Sequence, residues 1–320
     1  MTAGLKAPFE IVLDSLRQNG EKPDQALLCY LSSLNADEAE RVSQIWPDLP
    51  TDLRLELISQ LVEMAEADFT LSFGAIFRIA MGDEHADVRR LAIEGLWEDE
   101  DVRLVPILAQ RLEEDESVSV RAAAAQSLGR FILLGELGKI RPKPCSVAYA
   151  ALLRVLQAQD EYTEVRRRAL ESLAYVCNET VVASIREAYG SSSEKFRISA
   201  VFAMGRSADT RWEQEVQREL YSTTPEMRYE AARACGELQV SEAVDMLEEL
   251  TEDTDAEVQQ AAIWALGQVG GDRAREILER YCRAGDEALR SAAEAAMAEF
   301  EFLHGDLDDL FADWTEDPDW

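Results

Sequence analysis

The chain has 320 residues, with 63 Asp and Glu against 32 Lys and Arg and a formal net charge of −31. At 47% hydrophobic residues it is too apolar for a disordered chain. The acidic excess argues against binding of duplex nucleic acid, which needs clustered cations to displace counterions, and against adsorption to anionic lipid.

Residues 1–50 read as two or three helices that cap the remainder of the chain. Their first apolar run is broken by Glu10 and Asp14, so no secretory signal core forms. No stretch of 18 residues lacks a charge, so no transmembrane helix is expected. The five cysteines, Cys29, Cys145, Cys177, Cys235 and Cys282, are widely spaced and form no CxxC pair. That pattern predicts reduced thiols and a cytoplasmic location, with no disulfide framework and no zinc site.

From residue 51 to about 300 the chain repeats itself. Seven segments align on one column: Arg89, Arg121, Arg166, Arg197, Arg228, Gln259 and Arg290. The spacing is 31 residues in four successive gaps, 32 in the first and 45 in the second. Three residues later alanine stands every time: Ala92, Ala124, Ala169, Ala200, Ala231, Ala262 and Ala293. Counted from the column, apolar residues fall at −1, +3, +4 and +7, one face of an α-helix. Position −4 holds Ser117, Ser193, Thr224, Asp255 and Asp286, which are N-cap residues. Pro225 follows at the first helical position. A second amphipathic segment precedes each such helix, as in Val105–Leu112, Ala148–Leu156, Val181–Ala188, Ala243–Leu250 and Ala274–Tyr281. The alanine column predicts helices packed backbone near backbone. Thr51–Leu61 keeps the phase around Arg54 with Leu57 in place of alanine, a divergent unit.

The pattern D-x-x-V-R-x-x-A-x-x-x-L-G in units of about 31 residues resembles the short HEAT-like repeat of the phycobilisome bilin lyase type. The resemblance covers about residues 80–300. It implies an all-α fold, a right-handed α-solenoid of antiparallel helix pairs, and it says little about function. The column arginines are expected to face the next repeat and to bond Asp or carbonyl groups there.

The 45-residue gap marks an insertion near 131–146 (FILLGELGKIRPKPCS), expected as a surface loop carrying Lys139, Arg141 and Lys143. The outward side of the second helices lies near +2, +5 and +9, with +1 on its flank. In HEAT-like arrays this row lines the concave face. Here it holds Arg130, Arg167, Arg168, Tyr175, Phe202, Arg206, Tyr229, Arg233 and Trp264, diluted by Glu171, Glu230 and Glu237. Arginine and aromatics are enriched in binding hot spots. The protein-binding candidates are therefore Arg130, Arg167, Tyr175, Phe202, Arg206, Tyr229, Arg233 and Trp264. Residues 301–320 read as an acidic, aromatic tail. From Gly305 on it has seven acids and no cation, with Leu307, Leu310, Phe311, Trp314 and Trp320 among them.

No catalytic motif stands out, and no cofactor or metal is expected. The two histidines, His85 and His304, are far apart. They cannot supply the several His-Glu pairs with which the HEAT-like deoxyhypusine hydroxylases hold a di-iron site. The expected function is a non-enzymatic scaffold or adaptor that binds a protein along the concave row. The alternative is a bilin lyase subunit or another chromophore-handling protein of the same repeat type. Neither nucleic acid nor membrane is an expected partner. Self-docking of residues 305–320 is a further expectation. The last 80 residues carry 23 acids against 5 bases, whereas residues 161–240 carry 13 against 11. A groove in those middle repeats is accordingly expected to accept an acidic peptide.

Overall fold

The computed structural model describes residues 8–19 and 23–304. Among them stand eighteen α-helices and no β-strand, and the chain falls into two compact units, residues 1–172 and 173–320. The first unit holds α1 (Pro8–Asn19), α2 (Gln25–Leu28), α3 (Ala36–Ile45), α4 (Thr51–Ala67), α5 (Gly74–Ala80), α6 (Ala86–Gly95), α7 (Leu104–Glu114), α8 (Val118–Glu136), α9 (Pro142–Gln157) and all but the last residue of α10 (Thr163–Leu173). The second holds α11 (Glu179–Tyr189), α12 (Glu194–Arg206), α13 (Glu213–Glu219), α14 (Pro225–Glu237), α15 (Val244–Leu250), α16 (Ala256–Val269), α17 (Asp272–Cys282) and α18 (Glu287–His304).

Each unit is built from helix pairs, the solenoid arrangement. Short turns join the members of a pair, which places them antiparallel. In the first unit α4, α6 and α8 pack side by side, with α5, α7 and α9 against them. In the second, α12, α14, α16 and α18 form such a row, backed by α11, α13, α15 and α17. The core follows the sequence period. All seven column alanines are wholly buried, and so are most residues at −1, +4 and +7 of the first six repeats.

The tightest approach lies at a column the sequence pattern contains but does not explain. Eight residues after the arginine column stand Gly129, Gly205, Gly236 and Gly267. Each faces the residue at +6 of the following second helix: Ser172, Ala234, Ala265 and Ala296. A Cβ on Gly205 would lie 2.8 Å from Ala234 Cα, and one on Gly267 would lie 2.6 Å from the Ala296 carbonyl oxygen. At these four positions successive second helices therefore touch closely, and only hydrogen fits at +8.

The arginine column is structural. Nη1 of Arg89, Arg121, Arg197, Arg228 and Arg290 donates to the carbonyl six residues upstream, at 2.8 to 3.2 Å. Gln259 Nε2 does the same at 2.6 Å. Arg166 instead donates from Nε to Leu156 O at 3.0 Å. Three of these arginines also pair bidentately with a carboxylate of the next repeat: Arg89 with Asp115, Arg121 with Glu161, and Arg228 with Asp253. Arg54 of the divergent unit reaches Asp83 at 3.4 Å and Glu84 at 2.7 Å. The residue at −6 is thus a hub. Outside the Arg166 repeat its carbonyl accepts from its own column residue, and Asp83, Asp115 and Asp253 also take the arginine of the preceding repeat through their carboxylates. Its side chain also accepts the N–H of the cap residue, as in Asp115 to Ser117 and Asp253 to Asp255.

That hub corrects the capping expectation in part. Ser117, Ser193 and Thr224 occupy the N-cap positions, but their side chains make no cap bond. Only the aspartates cap through oxygen: Asp255 accepts from Glu257 and Val258, and Asp286 from Ala288 and Leu289. His85 is likewise the N-cap residue of α6, without a side-chain cap bond.

The insertion is a loop only over residues 137–141, which carry the exposed Lys139 and Arg141. Its residues lengthen α8 to Glu136 and begin α9 at Pro142, leaving five residues between the helices. Phe131, Ile132 and Leu134 are buried, so the added turns extend the core. Gly135 lets Cys145 close in, because a Cβ there would lie 2.8 Å from Cys145 Cβ. The start of the expected tail also changes. Helix α18 runs to His304, so residues 301–304 belong to it. Phe300 is buried, and His304 Nε2 lies 3.0 Å from Gln268 O, which anchors that last turn. Residues 305–320 lie outside the described residues.

Candidate functional site

The interval rule that builds the core leaves +1, +2, +5 and +9 of each second helix on the side away from the first helices. In the second unit this places Phe202 and Arg206 on α12, Tyr229 and Arg233 on α14, and Trp264 on α16 along one groove. Its larger part, about 860 Å³, runs over α14, α16 and α18. Ala261, Ala292, Ala295 and Ala298 form the floor, and Tyr229, Trp264 and Phe302 stand as aromatic walls. Phe302 is 75% exposed. A smaller recess shares Tyr229 and Arg233 and continues to Phe202, Arg206 and Glu237.

The guanidinium groups of this groove already have partners. Arg233 Cζ sits 3.8 Å from the centroid of the Trp264 ring. Arg206 Cζ lies 5.4 Å from that of Phe202. Between them Glu237 receives both cations, Arg206 at 3.3 Å and Arg233 at 3.8 Å. Burial pushes the Glu237 carboxyl above the usual carboxylate range, against the pull of the two arginines. These stacks fix the rings in place and leave little positive charge to offer. The lining then adds Glu230, Glu257 and Glu299, so carboxylates outnumber guanidiniums. The expectation of an acidic occupant is therefore opposed by the electrostatics of the groove itself.

The remaining candidates are not among its lining residues. Arg130 donates to the carbonyls of Leu96, at 2.7 Å, and Trp97, closing the C-terminal end of α6. Burial pulls its guanidinium down from its ordinary value. Arg167 is held by Glu164 at 2.6 Å and Glu171 at 3.2 Å on its own helix. Tyr175 stands in the turn after α10, because that helix stops at Leu173, and is half-buried. Sequence reasoning missed Phe302, which it placed in the tail, and the alanine floor. The floor stands in the sequence as alanines of the last aligned segment, 287–298, together with Ala261 of α16.

Among the described residues no group of three or more His, Cys, Asp or Glu is arranged to hold a metal, and no helix is long and apolar enough to cross a membrane. The arrangement offers shape, aromatic surface and charge, which are means of binding.

A family model for HEAT repeats matches residues 75–145 and 213–298. A search of curated proteins finds no match. Similar solved structures include human deoxyhypusine hydroxylase, at 18% identity over 83% of this chain and 96% of that one, with a TM-score of 0.37. Another is the CpcE–CpcF complex of phycocyanin lyase from Nostoc sp. PCC7120, at 19% identity over 61% and 76%, with a TM-score of 0.44. A third is importin beta, at 14% identity over 96% and 48%, with a TM-score of 0.45.

Proposed function

Because the chain is a HEAT-like repeat protein, we propose that it is a non-enzymatic interaction scaffold holding a protein partner in the groove over α14, α16 and α18. One observation carries this reading. Trp264, Tyr229 and Phe302 rise from a floor of alanines on a face that no described helix covers. Small floor residues let a partner's backbone come close, and rigid aromatic walls supply apolar area at low entropic cost. A photo-crosslinking side chain at Ala295 tests it in the full chain, with Glu276 on α17 as the control position. Crosslinks to discrete proteins are expected from Ala295 and lost on Trp264→Ala. The same products from both positions, or from Ala295 with and without Trp264, would overturn the assignment.

A further inference from the structure

We infer that the occupant of this groove is a cationic amphipathic helix of a partner protein, with apolar side chains inward and Lys or Arg along its edges. The inference rests on the groove being the binding surface and names what it selects.

Shape comes first. The groove lies between parallel helix ridges over small residues, the form that receives a helix on one apolar face. Tyr229 on α14, Trp264 on α16 and Phe302 near the end of α18 line the groove together with the alanines.

Charge then chooses among helices. The two arginines in the lining are balanced against Glu237 and covered by rings, so they attract an anion weakly. Glu257 is exposed on α16, and Glu299 on α18 is held by Gln268 at 2.6 Å and points a carboxylate at the rim. The surrounding repeats deepen the field, because residues 241–304 carry 16 acids against 5 bases. A helix rich in Glu would enter against this field, and one rich in Lys would be steered by it. The chain's own end, with seven acids after Gly305, has the wrong sign.

The test uses the full chain and two labelled synthetic helices of about 18 residues, identical in their leucine face, one with Lys edges and one with Glu edges. Fluorescence anisotropy is expected to show the Lys helix binding at least tenfold more tightly, with affinity falling as salt rises. Glu257→Lys with Glu299→Lys should reverse the preference. Ala295→Trp, which fills the floor at an exposed position and leaves the core intact, should abolish binding of either helix. A Lys helix that ignores Ala295→Trp would be adsorbed by charge alone, and the inference would fall. Equal or tighter binding of the Glu helix would overturn the charge assignment and leave the groove reading standing. Binding of neither helix would overturn the inference, while crosslinks at Ala295 would still uphold the groove. Self-association of the chain that Ala295→Trp abolishes would make a second copy the occupant and refute a cationic partner.

Discussion

Replacing Arg228 by alanine tests whether the arginine column holds the repeats together. The side chain donates to both carboxylate oxygens of Asp253, at 2.7 and 2.8 Å, and to Ser222 O at 2.8 Å. Both partners of the ion pair are largely shielded, with side-chain exposures of 14% and 7%. Removal strands the Asp253 carboxylate and the Ser222 carbonyl near α14 and α16. Breaking a buried pair from one side costs about 3 kcal/mol at its lower end. Asp253 keeps the backbone N–H of Asp255, so that lower end is the expected value for Arg228→Ala. Arg228→Gln should cost about 1–2 kcal/mol, since Gln259 shows that glutamine at this position still reaches the −6 carbonyl. Urea unfolding followed by circular dichroism gives both values. The effect also depends on pH. Arg228 holds the Asp253 carboxyl below the usual carboxylate range. The pair's contribution is therefore fully present above the ordinary Asp value of about 3.9 and is lost as pH falls through the lower native value. Wild type and Arg228→Ala should converge in acid. A cost for Arg228→Ala below about 0.5 kcal/mol at neutral pH, within what ordinary surface changes give, would refute the ladder. So would an Arg228→Gln as damaging as Arg228→Ala.

Five further substitutions probe the local rules. Gly267→Ala would press a Cβ to 2.6 Å from the Ala296 carbonyl, so it should destabilise by about 1–3 kcal/mol despite the better helix propensity of alanine. Gly190→Ala, whose Cβ meets nothing nearer than 3.6 Å, should be close to neutral in the same assay. Asp255→Ala should cost about 1 kcal/mol and Ser117→Ala much less, because only the aspartate bonds the first turn. Ala208, at φ +50° just past α12, should gain up to about 1 kcal/mol on replacement by glycine, seen as a higher urea midpoint.

The sequence made the helix pairs legible because their period is fixed by packing. Leu104–Glu114, Glu179–Tyr189 and Asp272–Cys282 appear where the apolar spacing put them. The column alanines are buried without exception, since a larger side chain has no room. The insertion misled for a physical reason. A break in the period reads as a loop, yet FILLGEL keeps helical apolar spacing and simply lengthens α8. Tyr175 misled because its helix ends two residues earlier. The role of the −6 residue was not legible, as one side chain there serves two repeats and a cap at once, a relation that exists only after stacking. The groove was half legible. Phe202, Arg206, Tyr229, Arg233 and Trp264 do converge, but pairing with Glu237 cancels the charge that made the arginines look available.

The same face of the repeat carries different chemistry in the first unit, and this shows how the scaffold divides its labour. Between α4 and α6 lies a groove of about 600 Å³ lined by Leu55, Glu56, Ser59 and Glu63, at +1, +2, +5 and +9 from Arg54, together with Asp52 and Asp87. These are the positions that hold Tyr229, Phe202 with Arg233 and Trp264, and Arg206 in the second unit. The ladder of arginines, alanines and glycines uses −6, −4, −1, 0, +3, +4, +6, +7 and +8, and it meets these columns where Trp264 closes over Gly236. Packing otherwise specifies how repeats stack and leaves four columns per helix to be set by what the surface must meet. Aromatic residues at +1 and +5 are not required for the fold of the pair, since leucine and serine stand there in the first unit. Substitution of Trp264 or Tyr229 should accordingly change binding far more than it changes stability. A variant at either position that unfolds the second unit while leaving binding of the folded fraction intact would break that division.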